Sequence, residues 1–114
     1  MNLNLVKRPW GTFQVIDMGP GFVVKRIEVQ PGQKLSLQSH AQRKEYWNVV
    51  SGRAEVYLDG REFFLSMGKS IFINNTIKHR LSNPENHLLI IIEIQMGNCQ
   101  ESDIVRYSDL YGRC

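Results

Sequence analysis

Short apolar segments alternate with turn residues along the whole chain. Between residues 53 and 58, the apolar side chains fall on one face of an extended strand and the polar side chains on the other. Asp59-Gly60 follows directly and favours a tight hairpin turn into residues 61–65. This part of the chain therefore predicts two antiparallel strands, each buried on one face.

Two other segments, 71–73 and 88–94, are rich in isoleucine and bounded by polar turns, which is typical of more fully buried strands. Turn residues recur at Gly11, Gly19-Pro20-Gly21, Pro31-Gly32, Gly52, Asp59-Gly60, Gly68 and Asn83-Pro84. This spacing predicts an all-β sandwich or barrel. A short helical turn is expected only within residues 101–105, where polar residues could cap it.

A chain of 114 residues, 42% of them hydrophobic, has the size of a single domain, and we assign residues 1–114 to one domain. The net charge of +3 comes from scattered basic residues without a Lys/Arg run, so nucleic acid is not an expected partner. A small phosphorylated metabolite needs only a few cations and fits this charge.

The longest apolar run, residues 88–92, is too short to span a membrane, and residues 1–10 lack a signal-peptide core. A cytoplasmic protein without a membrane partner is the expectation. Cys99 and Cys114 lack metal-type spacing and are expected to be reduced thiols.

Four candidate metal ligands lie in two separate segments, 32–52 and 68–83. Gln38 and His40 are two residues apart on a predicted strand, so they project to the same side, and a short loop can return Glu45 beside them. His79 has a similar place in the second segment. Each residue alone is more often an ordinary polar side chain, but the four together favour a metal site.

One amide oxygen, two imidazoles and one carboxylate suit a single divalent ion. Zn²⁺ is favoured, and Mn²⁺, Co²⁺, Ni²⁺ or Fe²⁺ are compatible. Four protein ligands leave coordination positions open, so a substrate oxygen could bind the metal, as Lewis-acid chemistry requires.

The two segments resemble the paired cupin motifs, and every spacing between matching positions is kept. Gln38 replaces the first motif's first histidine, while Asn74 and Thr76 replace the second motif's proline and glycine. The resemblance implies a cupin fold, which is a double-stranded β-helix or jelly-roll-like barrel with the metal near its centre.

More specifically, the chain resembles the type II mannose-6-phosphate isomerases. These are cupin domains usually found C-terminal to a mannose-1-phosphate guanylyltransferase in bifunctional enzymes of nucleotide-sugar and polysaccharide biosynthesis. The resemblance covers residues 6–113. The matching stretches are Val-Lys-Arg-Pro-Trp-Gly at 6–11, Lys-Arg at 25–26, Pro-Gly-Gln-Lys-Leu-Ser-Leu-Gln at 31–38, Trp47, Val-Val-Ser-Gly at 49–52, His-Arg-Leu at 79–81, Asn-Pro at 83–84, Ile-Glu at 92–93, Asp-Ile-Val-Arg at 103–106 and Tyr-Gly-Arg at 111–113. Three histidines common in the family are replaced here by Ala41, Gln42 and Tyr46.

The resemblance implies a metal-dependent isomerase that interconverts mannose 6-phosphate and fructose 6-phosphate through a cis-enediol. A metal that polarises the sugar oxygens would stabilise the enediolate charge as it develops. Arg43 corresponds to an arginine of the family and is expected to bind the phosphate or stabilise the enediolate. Lys34 and Arg80 flank the ligands in sequence and are candidate phosphate-binding residues.

Glu93 is the candidate proton-transfer base, since burial on an apolar strand would raise its pKa. The alternative is that Glu93 points outward and pairs with a surface cation. Tyr46, Trp47 and Trp10 are candidates for a sugar-binding wall, although aromatic residues more often pack in a core. Arg113 either folds back onto the barrel or is solvated.

Two other functions remain open. One is a binding module that holds metal and phosphosugar without turnover, beside a separate partner such as a guanylyltransferase. The other is a different cupin enzyme, such as a sugar-nucleotide epimerase or a metal-dependent oxygenase. The sequence has no Gly-rich nucleotide loop, so nucleotidyl transfer is not expected of this chain. A homodimer formed through exposed sheet edges is the expected assembly.

Overall fold

The computed structural model describes residues 4–113, which form β-strands and no helix. The strands are β1 (Val6–Arg8), β2 (Gly11–Gly19), β3 (Phe22–Val29), β4 (Leu37–Ser39), β5 (Arg43–Ser51), β6 (Ala54–Leu58), β7 (Arg61–Leu65), β8 (Ser70–Ile73), β9 (His79–Ser82), β10 (Leu89–Gly97) and β11 (Val105–Ser108). One sheet has the order β1-β2-β3-β10-β5-β8 and the other β11-β4-β9-β6-β7. All pairings are antiparallel, and the all-β prediction is confirmed.

The predicted hairpin is present between β6 and β7. Leu58 pairs with Arg61, and the two residues between them, Asp59 and Gly60, have φ values of 47° and 86°. Positive φ at both central residues matches the right-handed twist of paired strands, which explains the choice of Asp-Gly here. Ala54 and Val56 on the inward face of β6 are buried, as its alternating pattern predicted, while Leu58 at the end of the strand is half-buried.

The core lies between the two sheets and is formed by residues from the inward faces of both. Its buried members are Trp10, Ile27, Val29, Trp47, Val49, Ala54, Val56, Leu65, Ile73, Leu81, Leu89 and Ile91. Tyr111 packs against this core, and its hydroxyl donates a hydrogen bond to Gln33. The C-terminal segment therefore folds back onto the barrel.

The central strand β10 positions the site, because its inward face changes character along its length. Leu89 and Ile91 are fully buried core residues, whereas Glu93 and Gln95 continue the same face as buried polar residues. The intervening isoleucines are half-buried on the other face. The same barrel interior is thus apolar in one part and polar in another.

The expected helical turn within residues 101–105 is wrong. Val105 begins β11, which pairs with β4. The Asp103 carboxylate accepts hydrogen bonds from the amides of Ala41 (2.9 Å) and Gln42 (2.8 Å). Because this carboxylate binds a distant loop, it does not cap a helix of its own segment.

Residues 4–113 include no helix able to cross a bilayer. Cys99 has no disulfide partner among these residues. The prediction for Cys114 lies outside the described residues.

Gly11 provides a test of the sheet packing. A Cβ at this position would lie 1.9 Å from the backbone oxygen of Glu28, and its φ is 154°. We expect Gly11→Ala to lower the free energy of unfolding by about 3 kcal/mol or more, measured by denaturant titration. Gly60→Ala is the control, since no heavy atom lies within 4 Å of its added Cβ. It should cost about 1 kcal/mol from its positive φ alone, and equal losses at both positions would contradict the close approach at Gly11.

Candidate metal centre and active site

Two histidines and a glutamate meet inside the barrel. His40 follows β4, Glu45 lies in β5 and His79 begins β9, so both sheets contribute. Their exposed fractions are 2%, 2% and 3%. Each residue offers one candidate ligand atom, and these atoms all lie within 4.8 Å of one another. We call these three residues the His-Glu-His cluster.

Backbone carbonyls orient both imidazole rings. The Nδ1 atom of His40 donates to the backbone oxygen of Asp103 (2.7 Å), and Nδ1 of His79 donates to the backbone oxygen of Ile77 (2.9 Å). Because a carbonyl oxygen can only accept, each Nδ1 carries the proton and each Nε2 keeps its lone pair as an acceptor. This tautomer is the one that binds a metal through Nε2.

The two separations between Glu45 and the histidines also suit a metal ion. His40 Nε2 lies 3.2 Å from Glu45 Oε2, and His79 Nε2 lies 3.6 Å from Glu45 Oε1. Ligand atoms about 2.0–2.1 Å from a tetrahedral zinc ion would lie about 3.3 Å apart. Burial, followed by the charge of Arg43, lowers the pKa of His40 to about 4, and burial also lowers the pKa of His79. Both imidazoles are therefore neutral at pH 7, as metal binding requires.

Gln38 lies next to this cluster. It pairs with His79 across β4 and β9, and cross-strand partners share a face of the sheet. Its Nε2 atom donates to the backbone oxygen (3.3 Å) and the hydroxyl (3.2 Å) of Ser36. With the amide nitrogen turned to Ser36, Oε1 is the atom of Gln38 that could serve as a fourth ligand.

Arg43 brings a positive charge into the cluster. The side chain is buried, and its Nη2 atom lies 2.8 Å from Glu45 Oε2 and 3.1 Å from His40 Nε2. Its Nε also donates to Glu45 Oε2 at 2.9 Å. The guanidinium therefore contacts two of the candidate ligands directly.

Glu93 points into the barrel, so the alternative of an outward, surface-paired carboxylate is wrong. Its Oε2 accepts from Trp47 Nε1 (3.1 Å), and its Oε1 accepts from Gln95 Nε2 (2.7 Å). Trp47 Nε1 also donates to Glu45 Oε1 at 3.0 Å, which links the two carboxylates. Burial, reinforced by the charge of Glu45, raises the pKa of Glu93 to about 7. Trp47 is thus a core residue whose polar atom belongs to the site.

A cavity of about 100 Å³ reaches this polar part of the interior. That volume is several times what one water molecule needs. Gln38, Arg43 and Glu93 line it, and Trp10 is among its apolar lining residues. None of the three cluster residues lines the cavity, but Gln38 and Arg43, which adjoin the cluster, do. A small substrate in the cavity could therefore approach the candidate ligands from this side.

Tyr46, a predicted substrate-binding residue, is not among those that line this cavity. It is 38% exposed and lies between Glu45 and Trp47, which are both buried. Alternate residues of a strand point to opposite faces, so Tyr46 faces away from the barrel interior. It does not form part of a sugar-binding wall in this cavity.

Lys34 and Arg80 are also absent from the cavity lining. Arg80 follows the inward residue His79 and donates instead to the backbone oxygens of Leu35 (2.8 Å) and Ser108 (3.3 Å). Lys34 forms an isolated backbone β-bridge with Ser82 of β9. Both residues were predicted to bind phosphate because they are close to the ligands in sequence. Strand alternation, however, turns Arg80 away from the cavity.

Several polar residues that line the cavity had no site role in the sequence-based prediction, among them Lys25, Gln95 and Arg106. Gln95 lies two residues after Glu93, and this spacing in a strand indicates that both side chains point to the same face. Lys25 pairs with Glu93 across β3 and β10, and Arg106 pairs with Gln38 across β11 and β4. These two placements depend on strand pairing, which no local pattern reveals.

The two antiparallel sheets and the inward His-Glu-His cluster define a cupin. An RmlC-like cupin of known structure from Shewanella frigidimarina shares this fold, with a TM-score of 0.79 over 88% of each chain at 19% sequence identity. Residues 2–109 match the family "Mannose-6-phosphate isomerase C-terminal". The chain belongs to this family.

Longer curated relatives agree with this assignment. The chain is 49% identical over 109 residues to the alginate biosynthesis protein AlgA of Pseudomonas aeruginosa. It is 45% identical over 109 residues to a mannose-1-phosphate guanylyltransferase of Escherichia coli. In both comparisons the match covers 95% of this chain but only 23% of the relative. The chain thus spans about a quarter of the length of these proteins.

Substitution of the histidines tests the ligand assignment. We expect His40→Ala and His79→Ala each to abolish stoichiometric zinc binding, because each removes one of the few ligands of a buried site. The measurement is metal content after zinc loading and dialysis, by elemental mass spectrometry. His87→Ala is the matched control, since His87 is exposed and outside the cluster. Unchanged zinc content in folded His40→Ala and His79→Ala proteins would show that the ligands lie elsewhere.

Proposed function

We propose that this domain is a metal-dependent isomerase that interconverts mannose 6-phosphate and fructose 6-phosphate through a cis-enediol. The main supporting observation is the buried Glu93 carboxylate, which lines the cavity and shares the Trp47 Nε1 donor with Glu45 of the His-Glu-His cluster. Membership of the mannose-6-phosphate isomerase C-terminal family supports this choice of reaction. Relatives named for alginate and xanthan biosynthesis support a sugar-phosphate substrate.

The reaction needs an electrophile at the sugar's C1 and C2 oxygens. His40, Glu45 and His79 would hold a divalent ion, with Gln38 Oε1 as a fourth ligand. When bound, this ion supplies a Lewis acid that polarises these oxygens and makes the neighbouring C–H bond more acidic.

The reaction also needs a base that moves one proton between C2 and C1. We assign this role to Glu93, because its carboxylate faces the cavity and is not one of the candidate metal ligands. Trp47 and Gln95 each donate to one of its oxygens and so fix the plane of the carboxylate. A base held in position on the enclosed side of the sugar can return the same proton to the neighbouring carbon.

Arg43 is placed to stabilise the negative charge that develops on the enediolate. Its guanidinium is buried, lines the cavity and is held by Glu45. A fixed cation in a site that excludes water stabilises charge more strongly than it would in bulk solvent.

Loss of turnover is the rival hypothesis, and it rests on the three family histidines that this chain lacks. Their positions, Ala41, Gln42 and Tyr46, are all exposed, and none of them lines the cavity. Their replacement therefore leaves the buried ligands, Arg43 and Glu93 in place. This arrangement favours the enzyme over a binding module without turnover.

The direct test is an assay of metal-stripped protein with mannose 6-phosphate, to which Zn²⁺, Co²⁺, Mn²⁺ or Ni²⁺ is added separately. We expect at least one ion to restore fructose 6-phosphate formation, which a coupled dehydrogenase assay would measure. Glu93→Gln should lower kcat by about 100-fold or more while the metal content stays unchanged. A folded, metal-loaded protein without turnover would instead favour the binding module.

Arg43→Ala separates charge stabilisation from metal binding. We expect kcat to fall by about 100-fold or more, because an electrostatic partner of the enediolate is removed. Zinc content should persist, since Arg43 is not a ligand. Arg26→Ala removes an exposed arginine of β3 and serves as control. Full activity in Arg43→Ala would exclude this role for Arg43.

A further inference from the structure

Cationic side chains outnumber carboxylates among the described residues that line the cavity. The cations are Arg8, Lys25, Arg43, Arg106 and Arg113, and the carboxylates are Glu93 and Glu101. Such an excess around a small concave site attracts anions. Only those cations that lack a carboxylate partner remain available to bind an anion.

Three of the five cations already have carboxylate partners. Lys25 forms an ion pair with Glu101. Arg113 donates from Nη2 and Nε to the two carboxylate oxygens of Asp109, at 2.8 and 3.0 Å. Arg43 faces the His-Glu-His cluster, as described above. Arg8 and Arg106 form no ion pair with a carboxylate among residues 4–113.

Arg106 is the better placed of these two arginines. It pairs with Gln38, and Gln38 pairs with His79, so all three residues lie on one face of the five-stranded sheet. Two strand spacings, about 10 Å in total, separate the backbones of Arg106 and His79. The Nε of Arg106 is buried and has no hydrogen-bond partner in the described part of the chain. A buried donor without a partner is uncommon in folded proteins and is satisfied when a ligand accepts from it.

Arg8 approaches the cavity from the other sheet. Its guanidinium lies over the Phe13 ring at 5.1 Å, and Lys25 Nζ lies over the same ring at 4.4 Å. The Nη1 atom of Arg8 donates to the backbone oxygen of Lys7 (3.0 Å), which helps to fix the side chain. An aromatic ring and a carbonyl thus hold a second cation at the cavity.

We propose that Arg106 and Arg8 form an anion site that binds the phosphate of the sugar substrate. Guanidinium groups match phosphate oxygens with paired N–H donors, and two of them balance a phosphate of nearly two negative charges. A phosphate bound by Arg106 would let the sugar extend across the cavity, past Gln38 on the same sheet and toward Arg43 and Glu93 on the other sheet. The identification of the anion as a sugar phosphate rests on the proposed function, whereas the anion site rests on the charges and the unpaired donor.

Binding measurements on the zinc-loaded protein test this site without requiring turnover. Calorimetric titrations with mannose 6-phosphate, mannose and inorganic phosphate would compare the wild type with Arg106→Gln and Arg8→Gln. We expect the wild type to bind mannose 6-phosphate at least about 10-fold more tightly than mannose, and each substitution to weaken binding of both phosphates by about 10-fold or more. Arg61→Gln, an equal loss of charge on the exposed strand β7, should bind like the wild type.

The outcomes separate this proposal from the proposed function. If Arg106→Gln and Arg8→Gln remain folded by circular dichroism and bind both phosphates as the wild type does, the anion site is wrong. Isomerase activity with an unchanged kcat/KM in both variants would likewise overturn the anion site while supporting the isomerase. A third outcome is that both substitutions weaken phosphate binding but the wild-type protein has no isomerase activity. This result would support the anion site and reject the isomerase.

Discussion

The burial of the Glu45 carboxylate is the constraint on which the polar interior depends. A carboxylate removed from water costs several kcal/mol unless charges and donors compensate for it. Arg43 and Trp47 donate to Glu45 from its own strand, and His40 and His79 approach it from the other sheet. The contacts that make this buried charge tolerable therefore also assemble the candidate metal centre.

The neighbouring strand extends this network in register. Glu93 pairs with Trp47 and Gln95 pairs with Glu45 across β10 and β5, so the polar stretches of the two central strands coincide. Further along both strands the inward residues are Ile91 and Val49, which are fully buried. Because the apolar stretches of β10 and β5 lie side by side, and the polar stretches do too, the interior has two parts. One is an apolar core that stabilises the barrel, and the other is a polar part that can bind a metal and a substrate.

Local patterns predicted much of this arrangement. Alternation predicted the β6–β7 hairpin, and motif spacing predicted the three residues that meet in the cluster. The direction of Glu93 could not be predicted, since isoleucines on both sides of it hide the alternation of a central strand. Arg106 was beyond prediction for another reason: it reaches the cavity only because β11 pairs with β4, a contact between distant parts of the chain.

X-ray absorption spectroscopy of the zinc-loaded protein tests most directly whether this buried cluster is a metal centre. We expect imidazole scattering from two histidines, with nitrogen and oxygen ligands at about 2.0–2.1 Å and no sulfur. A spectrum with oxygen ligands alone, or with a sulfur ligand at about 2.3 Å, would contradict it. In that case His40 and His79 would only support the burial of Glu45.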